Sequence, residues 1–141
     1  MGLLDDYSGI GMSPRPQWKH QIAMSNFHTN ACTELYQQGL QLLTEATVTN
    51  DWNDLAPDLV VFDAHFVPQT VIEITRTYQA RAIINKCAEL IERFPDAEYF
   101  VYDYEQRLLY GFDAERQKWI TSDEYELFSQ YLAHPVLAYF G

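Results

Sequence analysis

The chain has 141 residues, 48% of them hydrophobic, with ten tyrosines, eight phenylalanines and three tryptophans; that is enough for one ordinary core and argues against a disordered chain. Its longest apolar runs, such as Leu59–Phe62, are far too short to cross a bilayer, so a membrane-spanning helix is excluded. Twenty acids against nine bases give a formal net charge of −11, so the average field repels a polyanion and any contact with one must rest on a local cluster of cations.

Residues 1–16 hold Gly2, Gly9, Gly11, Pro14 and Pro16 with little periodicity and read as an irregular arm, with Pro16 suited to the first turn of a helix. From Gln17 to about Leu43 the residues His20, Met24, Phe27, Ala31 and Leu35 recur at helical spacing and mark one face of a long amphipathic helix, which Gly39 ends or loosens. Glu45–Thr49 is short and β-branched, a predicted strand, followed by a turn at Asn50, Asp51 and Asn53. Asp58–Asp63 and Thr70–Thr75 are the two strongest strands. A second helix is expected from Tyr78 to Phe94 on the stripe Ile83, Ile84, Cys87, Ile91 and Phe94, with Pro95 as its stop. Glu98–Tyr104 and Arg107–Phe112 read as a hairpin turning at Glu105 and Gln106. Lys118–Thr121 is expected to add a short strand, and Asp123–Leu132 a closing helix capped by Ser122. The predicted order is αβββαββ plus a C-terminal helix, an α/β (α+β) domain with a mixed sheet covering residues 1–141.

Chemistry concentrates between Pro57 and Lys86. Asp58 and Glu73 each lie in a strand-like run, where a carboxylate is out of place unless something positive meets it. An antiparallel pairing of the two strands would bring the carboxylates together at one end. Two acids so close repel unless a cation lies between them, and oxygen ligands favour a hard ion such as Mg²⁺ (or Mn²⁺). Lys86, at the border of the second helix's apolar stripe, can reach past the sheet edge toward them. Arg76, Arg81 and Lys86 are three of the nine bases and follow Glu73 closely, while 96–105 and 113–126 are acidic, a distribution that suits an anionic substrate or simply a solvated helix face. An ion pair of Glu73 with Arg76, Arg81 or Lys86 would satisfy that acid without a metal.

PDLVVFD, then VIEIT, then a helix carrying a lysine, then AEYFVYD, together resemble the Uma family of proposed restriction endonucleases, within the nuclease superfamily named for its PD-(D/E)xK motif. The opening helix from Pro16 through His20 and Ile22 is similar too, and the likeness spans roughly residues 16–112. It implies a restriction-endonuclease-like sheet core flanked by helices, Asp58 and Glu73 as metal ligands and catalytic groups with Lys86, a substrate-side role for His20, and DNA as substrate. On that reading Arg76 and Arg81 would contact phosphates. The chain departs from the pattern at Thr75, where the superfamily has its lysine, at Ala82, where the family carries an aspartate, and at Arg76, where it carries a serine; the family's N-terminal hairpin is shortened to the glycine-rich arm.

Those departures leave a second expectation open, a catalytically degenerate member acting as a structural or protein-interaction module. His20, on the inward stripe of its helix, also reads as a hydrogen-bonded core histidine, and Glu34, His28, His65 and His134 show no ligand spacing. Cys32 and Cys87 read as small apolar residues of a reducing compartment, and the N-terminus lacks a secretory pattern, so the expected location is cytoplasmic. The apolar stretch Tyr131–Phe140 would fold back or cover a second subunit, and a homodimer is the commonest symmetric oligomer.

Overall fold

A computed structural model describes residues 18–141 and, before them, the backbone of the two-residue strands β1 (Tyr7–Ser8) and β2 (Ile10–Gly11), which pair with each other in parallel. The rest of the 1–16 arm, including Pro16, lies outside the described residues. Helix α1 (Trp18–Tyr36) is followed by β3 (Gln41–Thr44), β4 (Leu59–Phe62) and β5 (Pro68–Thr75), then a 3-10 turn at Thr77–Gln79 and α2 (Ala80–Arg93). Strands β6 (Glu98–Asp103), β7 (Leu108–Asp113) and β8 (Lys118–Thr121) complete one six-stranded sheet in the order β3-β4-β5-β6-β7-β8. Within this sheet only β5 and β6 run parallel, because α2 is its helical crossover, and its other neighbours are antiparallel pairs.

The sheet is covered on both faces, so β4 is buried at every position and carries no polar alternation. On one face Phe27, Ala31 and Leu35 of α1 pack with Leu59, Val61, Ile72, Ile74, Phe100 and Tyr102. On the other, Leu90 of α2 packs with Val71, Tyr99 and Val48. The Tyr99 hydroxyl donates to the carbonyls of Leu90 and Phe94 at 2.8 and 2.6 Å, satisfying the C-terminal turn of α2 just before Pro95. The hairpins share a device: Asp63, Asp103 and Asp113 each accept backbone N–H groups of the following turn, and Phe66, Arg107 and Gln117 then take positive φ. No helix among the described residues is long and apolar enough to cross a membrane.

Three expectations are corrected. The first helix stops at Tyr36 rather than near Leu43, because Gly39 at φ 80° permits a terminating loop in which the Leu40 N–H reaches the Leu35 carbonyl at 3.1 Å and the two leucines bury together. The strand expected at Glu45–Thr49 lies instead at Gln41–Thr44, and Glu45 at φ 53° leaves the ladder. The closing helix at Asp123–Leu132 does not form: Leu127 and Ser129 are buried in alternation, and Ser129 and Gln130 are held by Glu98. A 3-10 turn at Val136–Phe140 follows instead, docked on α1 by the Asn26 and Asn30 amides donating to the carbonyls of Phe140 and Tyr139 at 3.2 and 3.0 Å. The apolar tail that suggested a second subunit is therefore buried within its own chain.

Candidate active site

The register Leu59↔Ile72 continues to Asp58 opposite Glu73 at the end of the β4–β5 pair. There the ladder is closed by side chains rather than by backbone alone. The Asp58 N–H donates to Glu73 Oε1 at 3.1 Å, and the Ile74 N–H donates to Asp58 Oδ2 at 2.7 Å. Each carboxylate thus grips its neighbour's strand, which brings the two acids face to face. Asp58 Oδ2 also lies 3.2 Å from His20 Nε2, so α1 contributes a third polar group to the same strand end.

Electrostatics follow from this crowding. Burial and the Asp58 charge push the Glu73 carboxyl up to about 7, against the smaller pull of the Asp58 N–H and of Lys86. The hydrogen bond to Asp58 raises the His20 imidazole above its ordinary value against the opposing effect of burial. Beneath the site, burial and the charge of Glu73 push the Cys87 thiol up to about 12, so it stays neutral and is no nucleophile.

Asp58, Glu73 and His20 are brought together. Lys86 is exposed on α2, close enough to lower the proton affinity of Glu73, but among the described residues it makes no ion pair with either acid. Arg76 is drawn away from Glu73 to Glu105, at 3.3 Å, and its guanidinium lies 5.0 Å from the centroid of the Tyr78 ring. Arg81 is exposed in the first turn of α2. The alternative in which one of these bases neutralises Glu73 by direct pairing is not what forms; the nearest group to Glu73 is another acid.

Sequence reasoning missed Glu45, which it assigned to a strand. Its N–H donates to the Asp58 carbonyl at 2.9 Å, and its charge helps raise His20, so a further acid borders the site. Spacing to Asp58 carried no signal, because a twelve-residue loop tethered by an Arg93–Asp54 pair at 2.8 Å separates them. Among the described residues no cluster of three or more His, Cys, Asp or Glu side chains is arranged as a metal cage. Asp58 and Glu73 each keep one oxygen without a described partner, a pair of hard donors that could hold a divalent ion retaining most of its water; Mg²⁺ binds in this manner and Zn²⁺ does not.

No family model and no curated protein sequence matches the chain. Among solved structures, that of a "putative nuclease belonging to DUF820" from Anabaena variabilis ATCC 29413 is similar with a TM-score of 0.63, over 92% of this chain and 84% of that one, at 16% sequence identity. The likeness establishes the fold, a mixed α+β sheet of the restriction-endonuclease-like class.

Proposed function

We propose that the chain is a metal-dependent endonuclease that hydrolyses DNA phosphodiester bonds, with Mg²⁺ or Mn²⁺ held by Asp58 and Glu73. The observation that carries this reading is the face-to-face pair of half-buried carboxylates at the β4–β5 strand end, a costly arrangement that a cation would relieve. The nuclease description of the DUF820 structure and the Uma-like motifs support it. When bound, the ion supplies charge that polarises a phosphodiester oxygen and acidifies an attacking water. Asp58 and Glu73 supply the negative charge that fixes it, and His20 orients Asp58. Lys86, exposed at the helix border, would orient the water or neutralise charge that develops in the transition state, and Arg81 would contact a phosphate.

The test is cleavage of single- and double-stranded DNA with Mg²⁺ and Mn²⁺ beside Glu73→Ala. Loss of at least about a thousandfold in the variant is expected of a ligand removed from the reacting centre. Equal cleavage by both proteins would refute the assignment. A second reading, the catalytically degenerate module, is favoured by the commitment of Arg76 to Glu105 and by the structural bonds each carboxylate makes; it expects a stable fold with no metal-dependent cleavage. In either case we propose a homodimer, which sedimentation equilibrium would contradict if the mass were that of one chain.

A further inference from the structure

Beside the strand-end site lies a cleft of about 320 Å³ between α1 and the β6–β7 hairpin, unused by the chemistry above. Its floor is apolar: Tyr102 and Phe140 stack with ring centroids 4.0 Å apart and planes 15° from parallel. Its wall is Ile22, 56% exposed although apolar. Its rim carries Lys19 and Arg107, both exposed and, among the described residues, in no ion pair. Glu105 also lines the rim, but its carboxylate is paired with Arg76 at 3.3 Å and accepts the Thr77 N–H at 3.0 Å, so its charge is offset. An apolar floor rimmed by two cations and one acid offset by its own arginine is locally positive on a chain whose net charge is −11.

We infer that this cleft is a nucleotide subsite that takes an unpaired base next to the cleaved phosphate, so that the substrate is single-stranded DNA or DNA with an extruded nucleotide. The inference rests on the nuclease reading for its place in the reaction. Ile74, next to Glu73 on β5, pairs with Tyr102 in the parallel register, and Lys19 is next to His20, which reaches Asp58, so the cleft on the α1 face lies at the same end of the sheet as the carboxylates, with the Glu73 side chain turned to the α2 face. An intact duplex presents phosphates and grooves to its surroundings and has no base free to enter an apolar recess; an unpaired base does, against Ile22 and Tyr104. The phosphates flanking it fall to Lys19 and Arg107. Asn26, whose amide nitrogen donates to the Phe140 carbonyl, keeps its oxygen for the edge of the base.

The test is fluorescence anisotropy with the full chain in EDTA, using a labelled ten-residue oligothymidylate and a labelled blunt duplex across a salt series. The single strand is expected to bind at least about tenfold more tightly than the duplex. Lys19→Glu and Arg107→Glu should each weaken it by about tenfold and flatten the salt dependence by about one phosphate, whereas Arg116→Glu, an equal charge change on the β7–β8 turn, should do neither. Tyr104→Ser, at the rim, should weaken the single strand several-fold and leave the salt dependence unchanged. Equal affinity for both probes, no binding of either, or equal effects of Arg107→Glu and Arg116→Glu would overturn the subsite. Undiminished Mg²⁺-dependent duplex cleavage by Arg107→Glu would overturn it while leaving the nuclease; Arg107-dependent single-strand binding without cleavage by the wild type would do the reverse.

Discussion

Asp103 and Glu73 sit on adjacent strands near the same end of the sheet, yet their surroundings differ in kind. Asp103 is fully buried and accepts from the Thr77 hydroxyl at 2.7 Å and from the N–H groups of Glu105 and Gln106 at 2.9 and 3.2 Å. Glu73 has one described donor, the Asp58 N–H, and faces the Asp58 charge. Glu98, at the opposite end of β6, resembles Asp103: Thr70, Ser129 and Gln130 all donate to it. Asp103 and Glu98 are thus each met by three donors, whereas Glu73 has one and faces a second acid.

The comparison breaks most visibly at Asp103. Asp103→Ala strands three donors and should cost about 3 kcal/mol in urea unfolding, with Asp103→Asn milder because one oxygen still accepts. Glu73→Gln should act with the opposite sign. Glu73 binds its proton more tightly in the native state, at about 7, than in the unfolded chain, near 4.5, so ionisation destabilises the fold as pH rises through that window. Removing the charge should therefore raise stability by about 2 kcal/mol at pH 8, and the gain should vanish near pH 4.5; a variant less stable than wild type at pH 8 would contradict the crowding.

Ion binding sharpens the same contrast, since the ligand must be ionised. Mn²⁺ affinity, read by calorimetry, should rise about fivefold from pH 6 to pH 7 and less than about twofold from pH 7 to pH 8. Smallest is Glu98→Gln, which keeps an accepting oxygen for the two hydroxyls and loses the Gln130 contact. A cost under about 1 kcal/mol is expected, with faster hydrogen exchange confined to the segment around Ser129 and Gln130.

Much of this arrangement was legible in order along the chain. The strands around Asp58 and Glu73, the α2 stripe ending before Pro95, and the turn at Glu105 and Gln106 follow from local pattern, and the two acids stand out because a strand seldom tolerates them. Where local pattern and tertiary contact disagreed, the contact prevailed. Gln41–Thr44 continues an acceptable helix until Leu40 turns back onto Leu35 and β4 offers an open edge. The segment after Ser122 has the composition of a helix but is drawn out by Glu98 and by the Val136 N–H reaching the Leu127 carbonyl at 2.9 Å.

The sequence by itself determined which residues form the two central strands and which acids they carry, because alternation and burial of a strand act over neighbouring residues. Only the tertiary structure decided what those acids meet. His20 joins Asp58 from 38 residues away, Arg76 turns to Glu105 rather than to Glu73, and the cleft above Tyr102 forms where the C-terminal turn lies against α1. Contacts of that range depend on how layers pack across the sheet, and a one-dimensional pattern records the faces of elements without recording which faces are brought together.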